Sequence, residues 1–195
     1  MIQVRESLLH WNYFLALESD LEGVSRYIEF SEKNFETYSI ELAHLLLAAS
    51  SEVDVIAKEI CNLLEPDENA NNINNYREII LPHYSNIFNE EVHVPRYGLS
   101  FKPWVNWAEG KNPIWWQSYN KVKHQRNEHF ADANLKNVLN SMGGLLITVF
   151  YFYKLKFSID KPTPLREREV MGKLEPASNF LRLNKNYYRL HLTTI

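Results

Sequence analysis

The sequence has few of the residues and motifs that usually reveal an activity. One cysteine, Cys61, excludes an intrachain disulfide. There is no glycine-rich phosphate loop, no cysteine pair for zinc, no His-Glu-x-x-His and no nucleophile elbow. The chemistries that depend on these motifs are therefore not supported, and any site must be found from less specific patterns.

The chain also lacks excess positive charge, a secretory signal and a long apolar run. Its net charge of −3 excludes coating nucleic acid by bulk charge, so a basic surface must be local. The longest apolar run, residues 143–153, is about half of the ~20 residues that a membrane span needs. Because Cys61 lies in an apolar helical pattern, we expect it to be a small buried hydrophobe. Together these features predict a cytoplasmic protein without membrane contact.

Hydrophobic residues make up 45% of the chain, which can supply a sizeable core. Apolar positions at helical spacing predict a mainly α fold, an antiparallel helical bundle. Asn112 and Asp132 are the expected N-caps of the last two helices. The predicted helices cover residues 8–30, 34–64, 75–88, 112–126 and 133–156.

Two regions depart from the helical pattern. Residues 90–107 alternate around Gly98 and contain prolines, which predicts a small β-hairpin inserted between helices. Partial alternation over 179–184 and 187–192 is compatible with two short strands. We therefore divide the chain into a helical bundle domain with the β insertion, 1–157, and a C-terminal extension, 158–195, packed on the bundle or on a partner.

Gly143 and Gly144 interrupt the apolar pattern of the last long helix. Glycine lowers helix propensity, so its presence there requires a reason. Two explanations are open: the close approach of another helix, including one from a second subunit, or a local kink.

The most concentrated chemistry lies in residues 118–126, which we call the polar segment. In a helix Asn120 and His124 lie one turn apart on one face, and Tyr119, Lys123 and Arg126 form a neighbouring stripe. This arrangement is typical of a polar site and also of a solvated helix surface.

Glu52, Asp54 and Lys58 follow a run of small residues on the second predicted helix. In one interpretation Asp54 and Lys58 form a surface ion pair that contributes little stability. In the other, this helix faces the polar segment, and Glu52 or Asp54 orients His124 or pairs with a neighbouring cation.

The remaining histidines carry weaker signals. His124 and His129 could bind a metal with Glu128 and Asp132, but their spacing matches no zinc pattern, so we predict neither a metal nor a cofactor. His44 lies among leucines and alanine and is predicted to be packed or hydrogen-bonded within the protein rather than a ligand.

The polar segment gives the chain a resemblance to the HEPN superfamily of helical domains, over residues 35–155. The motif of that family is Arg, then commonly Asn, Asp or His, a few variable residues, and His. Asn120 and His124 match the Asn and His positions, while Tyr119 stands at the Arg position. A second alignment, Arg126-Asn127-Glu128-His129, has the Arg-Asn pair but a shorter gap before His.

The resemblance implies a function related to RNA. Many family members are metal-independent ribonucleases of toxin, CRISPR and phage-defence systems, and others bind RNA or a protein without catalysis. It implies a homodimer in which two motifs face one RNA, with an antitoxin or another protein as a further partner. The implied catalytic residues are His124, Asn120, Arg126 and Lys123, and the implied supporting residues are Glu52, Asp54, Lys58 and Tyr119.

Aromatic residues next to the motif offer a second means of binding RNA. Trp115, Trp116 and Tyr119 stack bases if they are exposed, and fill the core if they are not. A further alternative for the whole chain is an unrelated helical interaction protein. Clustering of the site residues in an open groove favours a site, and dispersal favours the unrelated protein.

Overall fold

A computed structural model describes residues 7–188. The mainly α class with a β-hairpin insertion is confirmed. The helices are α1 (Leu9–Val24), α2 (Ile40–Leu64), α3 (Ile73–His83), α4 (Ile114–His129), α5 (Leu135–Lys156) and α6 (Glu167–Met171). The antiparallel strands β1 (Val92–Val94) and β2 (Leu99–Phe101) pair with Val94 opposite Leu99.

Helix α5 lies at the centre of the molecule. It packs against α1, α2, α4 and α6, and 17 of its 22 residues are buried. Its length and its mean hydropathy of 1.3 are those of a helix that could cross a membrane, but 83% of its most apolar window is buried inside the protein. We therefore describe α5 as a core helix. Cys61 of α2 is also buried, and this burial raises the pKa of its thiol to about 12.

Two helices begin later than predicted because other side chains cap them. The hydroxyl of Ser39 accepts a hydrogen bond from the amide of Leu42, so α2 begins at residue 40 rather than 34. Asn134, not Asp132, caps α5 by accepting a hydrogen bond from the amide of Asn137.

Other helix boundaries also differ from those predicted. Asn72 caps α3, which begins and ends earlier than expected. The N-cap position of α4 is occupied by Pro113 instead of Asn112. Helix α1 ends at Val24, after which the chain turns and buries Phe30 in the core. Hydrophobic periodicity includes such a buried loop residue in the helix, and so overestimates its length.

The loop before α2 is joined to the start of α5. The amides of Leu135 and Lys136 donate hydrogen bonds to the carbonyl oxygens of Thr37 and Phe35, at 2.9 and 3.1 Å. These bonds occupy amide groups at the helix N-terminus that have no partner within the helix. They also fix residues 35–37 on the bundle.

Close approach, not a kink, explains the two glycines of α5. A Cβ atom on Gly143 would lie 2.6 Å from the Phe101 ring, and one on Gly144 would lie 2.8 Å from the Trp115 ring. The helix continues through both positions. The approaching groups belong to the hairpin and to α4 of the same chain, so no second subunit is needed to explain the pair.

The C-terminal extension packs on α1 around the buried carboxylate of Glu18. This carboxylate accepts hydrogen bonds from the hydroxyl of Ser178 at 2.6 Å and from the amide of Leu181 at 2.7 Å. The amides of Asn179 and Phe180 also donate to it, at 3.3 and 3.2 Å. Four donors thus replace the water that a buried carboxylate would otherwise require.

The first of the two predicted tail strands is not formed. Residues 179–184 make a single bridge, in which Arg182 exchanges two backbone hydrogen bonds with His93 of β1. The second predicted strand, 187–192, begins with the end of a 3₁₀ turn, Lys185–Tyr187, and its part beyond residue 188 lies outside the described residues.

The packing of α5 predicts opposite effects for the same substitution at two glycines. Gly144→Ala should lower the free energy of unfolding by about 1–3 kcal/mol, because the methyl group displaces the buried Trp115 ring. Gly23→Ala is the matched control, since its Cβ would meet nothing within 4 Å, and it should raise that free energy by roughly 0.5–1 kcal/mol. Urea denaturation measures both, and equal effects would contradict this packing.

Candidate functional site

A cleft of about 870 Å³ opens between the N-terminal turns of α2 and the C-terminal half of α4. We call it the α2/α4 cleft. Both helices contribute polar and apolar residues to its lining, and Phe130, which follows α4, completes it. The polar residues are His44, Lys123, His124, Arg126 and Asn127, and the apolar residues are Ile40, Ala43, Leu47, Val122 and Phe130.

A break in α4 brings two of the polar side chains to the same cleft. Residues two apart on a regular helix point roughly 200° apart, so His124 and Arg126 would face different directions. Between them Gln125 has φ −141° and ψ 49°, which is not helical. The chain changes direction there, and both side chains line the cleft.

Lys123 is the cation that stands beside the motif's Arg position. That position is occupied by Tyr119, whose ring is buried. The ammonium group of Lys123 donates a hydrogen bond to the Tyr119 hydroxyl at 3.2 Å and lies 5.3 Å from the centre of the ring. Lys123 nonetheless remains exposed and lines the cleft.

Asn120 does not join His124 in the cleft. It is exposed, and in the described part of the chain its side chain makes no hydrogen bond that would position it. Lys121, which adjoins it, points to Asp132 at 3.7 Å. Asn120 thus lies one turn before His124 on α4, but in the described residues it neither lines the cleft nor bonds to His124.

The predicted supporting residues of α2 have other partners. Glu52 lies 2.6 Å from Nδ1 of His10, and Asp54 accepts a hydrogen bond from the Tyr76 hydroxyl at 3.0 Å. Lys58 is exposed, and no ion pair within 4 Å joins it to Asp54 in residues 7–188. The prediction that Glu52 or Asp54 orients the polar segment is wrong, because the more N-terminal turns of α2 face α4.

His44, not one of those carboxylates, is the titratable residue of α2 that lines the cleft with the polar segment. The prediction that it is packed is wrong: its side chain is 62% exposed, and its nearest ionic contact is Glu41 at 3.9 Å. Helical spacing places residues 40, 43, 44 and 47 on one face, both in the predicted helix 34–64 and in α2. This spacing is the signal that could have found His44, but it does not show that this face of α2 lies against α4.

The three aromatic residues that would stack bases only if exposed are in the core. Trp115, Trp116 and Tyr119 are all buried. The indole N–H of Trp115 donates to the carbonyl of Pro103 at 2.8 Å, which anchors α4 beside the hairpin. Their alternative interpretation as core residues is the correct one, and none of them presents a face to a ligand.

The acidic and histidine residues do not gather into a metal site in the described residues. No group of three or more His, Cys, Asp or Glu side chains that could hold a metal occurs there. His129 lies 3.3 Å from Asp132, while His124 belongs to the cleft. The chemistry available to the cleft is thus that of imidazoles and fixed cations.

This combination suits an anionic ligand. Lysine and arginine attract phosphate, and arginine can bind two of its oxygens at once. Imidazole is the side chain that most readily exchanges protons near neutral pH. The chain has a net charge of −3, but Lys123 and Arg126 place two positive charges in the lining of the cleft.

No family model, no curated protein and no solved structure matches this chain. The α2/α4 cleft and the polar segment are therefore the features from which a function can be inferred.

The contact between His10 and Glu52 predicts that His10 contributes to the free energy of unfolding in a pH-dependent way. His10 is buried, and the hydrogen bond to Glu52, aided by Glu59 at 3.4 Å, raises its pKa above the usual 6.5. The stabilisation is complete below the unfolded-state pKa of 6.5 and is lost as the pH rises through the higher folded-state pKa.

The difference in unfolding free energy between the wild type and His10→Gln should therefore shrink as the pH rises above 6.5. His83→Gln is the control, because this exposed histidine pairs with exposed Glu65, and an exposed pair contributes little to the free energy of unfolding. Urea denaturation at several pH values gives both differences. A constant difference for His10→Gln would show that protonation of His10 is not coupled to folding.

Proposed function

We propose that this chain binds RNA in the α2/α4 cleft and cleaves it without a metal, as a HEPN-like ribonuclease of a toxin or phage-defence system. One observation carries the proposal: His44 and His124 line the same cleft as Lys123 and Arg126. Two imidazoles and two cations are the groups that metal-free cleavage of a phosphodiester requires.

Each imidazole has a distinct role in the proposed reaction. A neutral imidazole takes the proton from the ribose 2′-hydroxyl, and the 2′-oxygen forms a bond to phosphorus. The bond from phosphorus to the 5′-oxygen breaks, and the protonated second imidazole gives its proton to that oxygen. The products are a 2′,3′-cyclic phosphate and a 5′-hydroxyl, so one proton is taken up and one is released.

The two cations stabilise the charge that develops on the phosphate oxygens. Arg126 is exposed and forms no ion pair in residues 7–188, so its guanidinium is available to a ligand. Lys123 contacts the neutral hydroxyl of Tyr119 rather than a carboxylate. In this proposal Lys123 supplies the charge that the family's arginine supplies at the position of Tyr119.

A second candidate function is RNA binding without cleavage. The specific observation in its favour is that Tyr119 is buried where the family has arginine, while Asn120 lies outside the cleft lining. The cations would still bind RNA phosphates through the same surface. The two functions differ only in whether His44 and His124 transfer protons.

The proposal also includes the cytoplasm as location, supported by the single cysteine. A homodimer and a protein partner such as an antitoxin are supported by the family resemblance. A homodimer predicts a mass in solution of twice the 23.1 kDa of the chain. Light scattering on purified protein measures this mass. A mass of one chain at all concentrations tested would exclude the dimer.

The proposed reaction predicts a separation between binding and cleavage. His44→Ala and His124→Ala should each reduce the rate of RNA cleavage by roughly 100-fold or more, because each removes an acid or base, while RNA binding changes little. His83→Ala is the matched control, since His83 is exposed and lies outside the cleft. Single-turnover cleavage and fluorescence anisotropy measure the two properties on folded protein.

Binding should depend on the two cations. Lys123→Ala with Arg126→Ala should weaken RNA binding and reduce the slope of log affinity against log salt by roughly 1.4, from about 0.7 for each lost phosphate contact. Lys58→Ala, at an exposed lysine outside the cleft lining, should leave the slope unchanged. Salt-dependent binding without cleavage by the wild type would favour the second function, and no binding would refute both.

A further inference from the structure

An exposed aromatic side chain stands at the mouth of the α2/α4 cleft. Tyr38 lies two residues before Ile40, which lines the cleft, and its side chain is 50% exposed. The Tyr38 ring packs edge-to-face on Phe130, with centroids 5.4 Å apart and an interplanar angle of 77°. Because Phe130 lines the cleft, the Tyr38 ring lies next to its apolar lining.

The backbone of Tyr38 is fixed on both sides. Tyr38 and Asn134 form an isolated β-bridge, and the preceding Thr37 accepts a hydrogen bond from the amide of Leu135. The following residue, Ser39, caps α2. Since its backbone is already ordered, a ligand that packs on the ring loses less free energy to immobilisation than it would on a mobile loop.

The charge around Tyr38 distinguishes it from other exposed aromatic residues. A single exposed aromatic residue is common on protein surfaces and needs no function. Tyr27 is such a residue, at 87% exposure and away from the cleft lining. Tyr38 instead adjoins a cleft lined by Lys123 and Arg126. An aromatic face beside cations is the combination that binds single-stranded nucleic acids, by base stacking and phosphate contacts together.

The nearby carboxylates are directed to other groups. Glu36 accepts a hydrogen bond from the Asn134 side chain at 2.9 Å, and Glu41 lies 3.9 Å from His44. Within residues 7–188 neither carboxylate pairs with Lys123 or Arg126, and both of these cations line the cleft.

We infer that Tyr38, supported from behind by Phe130, is a base-stacking subsite for an unpaired nucleotide whose phosphates bind at Lys123 and Arg126. The inference rests on the RNA-binding part of the proposed function and does not require cleavage. A base in a duplex already has neighbours on both faces, so only an unpaired base can place a face on Tyr38. The ligand is therefore single-stranded RNA or an unpaired loop.

The test uses short single-stranded RNAs with 2′-O-methyl groups, which cannot be cleaved through the 2′-oxygen. Tyr38→Leu keeps an apolar side chain without a π face and should weaken binding by roughly 5-fold to 100-fold. Tyr38→Trp should preserve or strengthen binding, because indole stacks well on bases. Tyr27→Leu is the matched control and should bind like the wild type.

An abasic nucleotide identifies the contact directly. When one abasic position is moved along the RNA, one placement should weaken binding to the wild type, and at that placement Tyr38→Leu should have no further effect. Matched duplex RNA should bind the wild type more weakly than the single strand. Unchanged unfolding midpoints for the Tyr38 variants exclude a folding defect.

The outcomes separate the subsite from the proposed function. If the wild type binds RNA in a salt-dependent way but Tyr38→Leu or every abasic placement has no effect, the subsite is refuted and the cleft remains the RNA site. Equal binding of duplex and single strand would refute it as well. If the wild type binds no RNA, because the cleft receives a protein partner instead, both the proposed function and the subsite are wrong.

Discussion

The close packing of aromatic rings against Gly143 and Gly144 is the constraint on which the rest of the structure depends. Side chains at these positions would overlap the rings of Phe101 and Trp115. The glycines thus let the hairpin and α4 approach the central helix α5, and the indole of Trp115 is further held by its hydrogen bond to Pro103. A fixed α4 in turn sets the width of the cleft that it forms with α2.

Burial of one face of α4 determines which side chains are left for a ligand. Trp115, Tyr119 and Val122 pack inward, so Lys123 and His124 remain at the surface. The break at Gln125 then adds Arg126 to the same side. Packing and one backbone distortion thus decide which of the positive residues of the polar segment line the cleft.

Hydrophobic periodicity predicted the mainly α class, the long helices and the hairpin, because burial of apolar faces determines these features. It could not predict which contacts form between helices. His44 was missed because the packing of α2 against α4 decides which face of α2 lines the cleft, and helical spacing alone does not show that packing. Glu52 was wrongly assigned to the site because the register of α2 against α4 is a tertiary property that helical spacing does not determine. In the structure Glu52 pairs instead with a buried histidine on α1.

The most direct test of the central claim, that the α2/α4 cleft is an RNA site, is a titration of the protein with 2′-O-methyl RNA, followed by NMR of the histidine side chains. We predict that the imidazole signals of His44 and His124 shift together and saturate at the same RNA concentration. The signals of His83 and His93, which lie outside the cleft lining, should stay in place. Shifts confined to the histidines outside the cleft, or none at saturating RNA, would contradict the account.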